Sequence, residues 1–298
     1  MKKKIIIAAV IIAAVSIILL ALFVIPQFIA KSAALSDSEL DSLYAQIMPN
    51  EITLPGTWQN IGPKLIESGA VNLDEFKSLY ESYGNPLTDE QIKFFTEGSD
   101  EPIVITQENM HFTLNTLWAL GLVNKNAIYE KEPMSKYIES GQAANLASTG
   151  GWSLGTKNGG ELLNSAEIII LTDEQQEIVE RIAFNSYRPC CNNPTAFPDC
   201  NHGAAALGLI ELLASQDISA DEIAETFKDV NSIWFAQTYL EIATYIKATE
   251  GKDWNDVDPW TVIGKDYSSA SGAADVKQKL QKLSLSQEAQ TGGGGCGV

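Results

Sequence analysis

Gln107-Glu-Asn-Met-His-Phe-Thr-Leu-Asn-Thr-Leu-Trp-Ala-Leu-Gly-Leu122 has no proline and a single charged residue, Glu108. Met110, Leu114, Leu117, Trp118 and Gly121 recur at a spacing near 3.6, which predicts a helix with its apolar face buried. Asn201 to Ser215 repeats the pattern, with Ala206, Leu207, Ile210, Leu213 and Ala214 on one face. Gly203, Ala204, Ala205 and Gly208 keep the first turns of that helix thin, so a second backbone can approach it closely. From Ser219 to Thr249, Ile223, Phe227, Val230, Trp234, Ile242, Tyr245 and Ile246 extend the helical period, with a break expected near Asn231. Another helix runs from Asp173 to Tyr187 and stops at Arg188-Pro189, because a residue before proline is pushed out of the helical region. The fold class is therefore mainly α.

Working outward, helix starts announce themselves by a capping residue followed three positions later by Glu or Gln. The pairs are Ser36 with Glu39, Asn72 with Glu75, Thr88 with Gln91, Thr172 with Gln175, and Ser219 with Glu222. Leu-Thr-Asp-Glu-Gln occurs twice, at Leu87 to Gln91 and Leu171 to Gln175. The residues after each copy do not match, so the repeat reads as one cap used twice. Strand signals are confined to Ile103 to Ile105 and Ile168 to Leu171. Ala144 to Gly160, rich in Gly, Ser and Asn, reads as a long loop, and it lacks the Gly-Lys-Ser/Thr ending of a phosphate-binding loop.

Lys2, Lys3 and Lys4 precede an uncharged run from Ile5 to Ala30. As a helix, Ile5 to Ile25 would be about 31 Å long at ~1.5 Å per residue, which matches a bilayer core of about 30 Å. This predicts a single-pass transmembrane signal anchor in the cytoplasmic membrane. The lysines place the N-terminus inside and the rest of the chain outside. A cleaved signal peptide is the competing reading, although signal cores are shorter, ~7–15 residues. The expected organisation is a cytoplasmic Lys cap and anchor over 1–30, a linker over 31–38, and a helical extracytoplasmic domain over 39–283. A polar tail over 284–298 follows, ending in four glycines and Cys296.

The chain carries 20 Lys+Arg and 38 Asp+Glu, a net charge of −18. Without the three N-terminal lysines the balance is 17 against 38, or −21. Such a surface repels phosphate backbones and anionic lipid, so nucleic-acid binding is not expected.

Chemistry is expected where Cys190, Cys191, Cys200 and His202 gather, in Arg188-Pro-Cys-Cys-Asn-Asn-Pro-Thr-Ala-Phe-Pro-Asp-Cys-Asn-His-Gly203. Three of the four cysteines and one of the two histidines fall within 13 residues. Three readings stand. The first is a soft-metal site with Cys190, Cys191, Cys200 and His202 as ligands, suited to zinc or copper in a binding, delivery or sensing role. Its difficulty is that Cys190 and Cys191 are adjacent, and adjacent side chains diverge in an extended chain. The second is a thiol–disulfide oxidoreductase. Cys200 at a helix N-terminus would be its nucleophile, activated by the helix dipole, with Cys190 or Cys191 resolving. The third is a structural or interaction domain with only a disulfide, closing a loop of about ten residues and contributing ~2–4 kcal/mol. His111, one turn from Asn115 and beside the apolar stripe, reads as partly buried and hydrogen-bonded. His111 and Cys296 are additional ligand candidates. A protein thiol or a metal-transfer protein is the expected partner.

The stretch Tyr187-Arg188-Pro189-Cys190-Cys191-Asn192-Asn193, then Asp199-Cys200-Asn201, resembles the thiol domain of the cytochrome c maturation protein CcmH family. The resemblance covers about Leu171 to Ile223 and includes the following helix and Ser-x-Asp-Glu-Ile. It implies a membrane-anchored, periplasm-facing protein that reduces apocytochrome cysteines. The family's Cys-x-x-Cys is absent, replaced by adjacent cysteines plus Cys200. Asp253-x-Asn255-x-Val257 starts like a calcium loop but lacks the glycine at position six and the glutamate at twelve. No Gly-x-Ser-x-Gly suggests a hydrolase.

Overall fold

All five cap signals sit at helix starts in the computed structural model, which describes residues 35–283 and 285. The anchor, residues 31–34 of the linker, and the tail with Cys296, apart from residue 285, lie outside the described residues, within which no helix is long and apolar enough to cross a membrane. Ser36 opens α1 (Asp37–Ile47) with a reciprocal capping box. β1 (Glu51–Gln59) and α2 (Ile61–Ser68) follow. Asn72 then caps α3 (Leu73–Ser82), and Thr88 opens α4 (Asp89–Glu97) with a second box. β2 (Ser99–Thr106) leads into α5 (Met110–Val123). Thr172 boxes α6 (Asp173–Asn185), and Cys200 caps α7 (Asn201–Ala214). Ser219 caps α8 (Ala220–Trp234), which breaks at Phe235 before α9 (Ala236–Glu250). The last long helix is α10 (Ala270–Lys282).

The domain is mainly helical, as the sequence predicts, and carries one small two-stranded sheet. β1 and β2 form an antiparallel pair with Ile52 opposite Ile105 and Thr57 opposite Pro102. Pro55-Gly56 hides β1 in the sequence, and the register shifts there. The strand nevertheless alternates, burying Leu54, Gly56 and Trp58. Ile103 and Ile105 lie in β2, but Ile168 to Leu171 is not a strand. Its amides are satisfied by a side chain instead: the Asn124 Oδ1 accepts from Ile168 N at 3.0 Å and Ile169 N at 2.8 Å. Nor is Ala144 to Gly160 all loop, since it holds helical turns at Ala147–Gly150 and Gly159–Leu162.

The centre of the fold is the contact of α5 with α7. Gly121 lies against Ala204 and Gly208, while Gly208 lies against Leu117 and Gly121. The Asn124 side chain donates to Glu211 Oε2 at 3.2 Å. Gly121 meets Gly208 at the crossing and, three residues on along each helix, Asn124 meets Glu211, so α5 and α7 run parallel. Two glycines at the crossing let the backbones meet, as the small residues of α7 predict. A smaller apolar cluster joins α1, α9 and α10 around Trp254.

Candidate metal centre

Between α6 and α7 the chain makes a loop whose shape is set by one buried cation. Arg188 is fully buried. Its Nη1 donates to Asn193 O at 3.1 Å, and its Nη2 donates to Phe197 O at 3.1 Å and to Asp199 Oδ1 at 2.5 Å. Its Nε donates to Cys200 Sγ at 3.4 Å. Asp199 is held on its other oxygen by Asn193 Nδ2 at 2.7 Å. The guanidinium lies over Gly203, where a Cβ would stand 2.7 Å from its central carbon. That residue must therefore be glycine for Arg188 to enter. Burial opposes the guanidinium's charge, but Cys200, Cys191 and Cys190 outweigh it and raise its pKa.

The adjacent cysteines converge because they sit on a tight turn. Cys191 N donates to Arg188 O at 3.4 Å, closing a four-residue turn with Pro189 second, the position whose fixed φ suits proline. The turn is clamped from outside. Ala270 N, opening α10, donates to Cys191 O at 2.8 Å, and Ser271 N donates to Asn192 Oδ1 at 2.8 Å. The Sγ atoms of Cys190, Cys191 and Cys200 all lie within 4.8 Å of one another, with Cys190 and Cys200 at 3.5 Å. All three are free thiols, partly buried. Among the described residues this is the one group of three or more Cys, His, Asp or Glu side chains close enough to hold a metal ion.

Cys200 is the anionic member. Its sulfur caps α7, accepting from Gly203 N at 3.4 Å. Hydrogen bonds with Cys190 and Cys191 hold its pKa well below the usual thiol range; burial opposes them and the Arg188 charge reinforces them. Cys190 is pushed up by its bonds to Cys191 and Cys200 and by burial. For Cys191 the bond with Cys190 acts downward, yet Cys200 and burial carry it up to about 11.

His202 does not join the sulfurs. Its ring is 5% exposed and packs 4.6 Å from Phe235 and 5.7 Å from Trp234, and its Nδ1 has no hydrogen-bond partner. Burial lowers its pKa to about 4 despite the pull of Cys200, so the imidazole is neutral at pH 7. His111 does not join them either. It is exposed rather than partly buried, and with Tyr80, Tyr83 and Asn115 it lines a separate cavity of about 350 Å³. Asn115 is the buried member of that pair and donates to Tyr80 Oη at 3.1 Å. Sequence reasoning missed the roles of Arg188, Asn193 and Asp199. A signal was present: Arg188 and Asp199 are the only charged residues from Ser186 to Cys200, and opposite charges alone in a loop that packs inward tend to pair.

Three clustered sulfurs, one of them favoured as a thiolate, can bind a thiophilic cation or exchange disulfides. The chain matches no protein-family model, no curated protein and no solved structure.

Proposed function

We propose that the protein binds a soft transition metal, zinc or copper, through Cys190, Cys191 and Cys200, in a delivery or sensing role. It does so on an extracytoplasmic domain held to the cytoplasmic membrane by Ile5 to Ile25. The observation that carries this reading is the convergence of three Sγ atoms within 4.8 Å on a braced loop. At a metal–thiolate distance of about 2.3 Å, sulfurs around one ion stand about 3.8–4.0 Å apart, a small adjustment from the 3.5 Å between Cys190 and Cys200 and inside the 4.8 Å limit of the group. Thiolates select soft ions. The test uses the full-length chain, purified in mild detergent without oxygen or chelator. Bound metals and reactive thiols are counted on the same sample. About one transition metal per chain, with cluster thiols that react only after chelation, is the expected result. A metal-free protein whose three cluster thiols stay reactive in the presence of zinc and of copper would refute it.

One observation favours thiol–disulfide exchange as a second reading. The Cys200 thiolate, at a helix N-cap beside Arg188, has Cys190 Sγ at 3.5 Å as a ready resolving thiol. This is also the activity that the CcmH resemblance implies. Cycling of two thiols with a protein disulfide, abolished in Cys200→Ser, would support it.

A further inference from the structure

Resting on the metal-binding reading above, we infer that the site takes copper(I) in preference to zinc, three-coordinate and bound by sulfur alone. Sulfur spacing does not decide between the two ions. The number of donors does. Closed zinc sites take four protein ligands, and zinc with three keeps an exchangeable fourth position filled by water. Here the loop supplies three sulfurs, and among the described residues every nearby candidate for a fourth protein donor is already engaged or turned away.

Asp199 Oδ1 comes nearest, 3.7 Å from Cys191 Sγ, but it accepts from the fully buried Arg188 at 2.5 Å. Its partner oxygen is held by Asn193 at 2.7 Å. Freeing that carboxylate would break a buried ion pair and take from the guanidinium its only carboxylate partner. His202 is closest in sequence, yet its ring fills the space against Trp234 and Phe235. Swinging it out would open a cavity at the junction of α8 and α9. Nor can the loop easily rearrange to recruit another donor. Pro189, Pro194 and Pro198 stiffen it, and its backbone is pinned by Ser148 N to Asp199 O at 3.1 Å and Ala196 N to Ala183 O at 2.8 Å. A three-thiolate set with no nitrogen or oxygen donor is the chemistry that favours the softer, monovalent ion.

The Arg188 and Gly203 N–H groups add to this. Both point at Cys200 Sγ at 3.4 Å, so that thiolate keeps part of its charge in hydrogen bonds. It is a weaker donor to a hard ion than to a polarisable one.

The test loads the full-length, reduced, metal-free chain with copper(I) and zinc(II), separately and in competition. Absorption fine structure is then read at the metal edge. The inference expects one copper per chain, three sulfur neighbours at about 2.3 Å with no nitrogen or oxygen, and displacement of zinc by one equivalent of copper(I). His202→Gln should leave copper affinity within threefold, and Cys191→Ser should lower it at least a hundredfold. Circular dichroism confirms that each variant is folded, and the wild-type spectrum stands whether or not they are. Zinc retained against an equivalent of copper(I), or a nitrogen or oxygen neighbour on copper, would overturn this inference while leaving metal binding intact. Binding of neither ion would overturn the metal reading itself.

Discussion

Gly208→Ala probes the crossing that holds Cys200 in place. A Cβ at 208 would stand 2.8 Å from Gly121 N and 3.3 Å from its Cα, and closer still to Leu117 O. All three are backbone atoms of α5, so no rotamer change relieves the contact, and the two helices must move apart. Two effects then oppose each other. Alanine gains about 0.8–1 kcal/mol over glycine in a helix interior. Overpacking typically costs about 1–3 kcal/mol, and a backbone clash belongs at the upper end of that range or beyond. The contact wins, leaving a net loss of about 2 kcal/mol. For a domain of this size roughly 2–4 °C is lost per kcal/mol, so the melting temperature should fall by about 4–8 °C. Urea unfolding followed by circular dichroism gives the same quantity independently. Gly121→Ala should behave alike, since its Cβ would meet Ala204 O and stand 2.8 Å from Gly208 N. One separation relieves both clashes, so the double variant should lose less than the sum of the singles. An unchanged or raised melting temperature for Gly208→Ala would refute the close parallel crossing.

Arg188→Met should lower stability by about 3–5 kcal/mol, because Asp199 and the carbonyls of Asn193 and Phe197 lose their buried donor; Arg188→Lys should not restore it, since one ammonium cannot reach the four partners of a guanidinium. Gly203→Ala should reduce metal binding with a smaller loss of stability, read by titration and thermal unfolding, because its methyl group drives into the guanidinium. Burial raises the Glu211 pKa well above 4.5, so its native carboxyl is neutral. Its contribution is complete below about pH 4.5 and is lost as pH rises through the native value; Glu211→Gln should therefore gain on wild type in urea midpoint between pH 5 and pH 8. His202 has the opposite sign. With a native pKa of about 4 against 6.5, the unfolded chain binds the proton first, so stability falls as pH drops from 6.5 to 4, by up to about 3 kcal/mol. His202→Gln should flatten that slope.

How far the sequence could be read follows from which forces are local. The caps at Ser36, Asn72, Thr88, Thr172 and Ser219 are decided within four residues, and each is where the pattern places it. The helical periods around Trp118 and Ile210 are nearly as local, and α5 and α7 follow them within three residues at either end. β1 was illegible because Pro55-Gly56 interrupts its alternation and its partner lies some fifty residues away. Ile168 to Leu171 misled for the converse reason: an apolar run has its amides taken by the distant Asn124. At the site, the gathering of cysteines was visible as composition. The selection among donors was not, since His202 is adjacent in sequence yet turned toward Phe235 by packing from α8 and α9.

That selection has a structural cause. Adjacent cysteines are poor joint ligands on an extended chain, and the loop overcomes this by bending at Pro189 and handing Cys191 O to the first turn of α10. Cys200 is placed differently, as the cap of α7, whose position is fixed by the glycine crossing with α5. Two sulfurs are therefore referred to α10 and one to α7, with Arg188 binding the two parts of the loop together from inside. An ion holding the sulfurs about 3.8–4.0 Å apart would set Cys190 and Cys200, now at 3.5 Å, slightly farther apart and so shift the turn relative to α7. The thiols thus sit at a loop anchored to two helices, so that the proposed metal binding would bear on both.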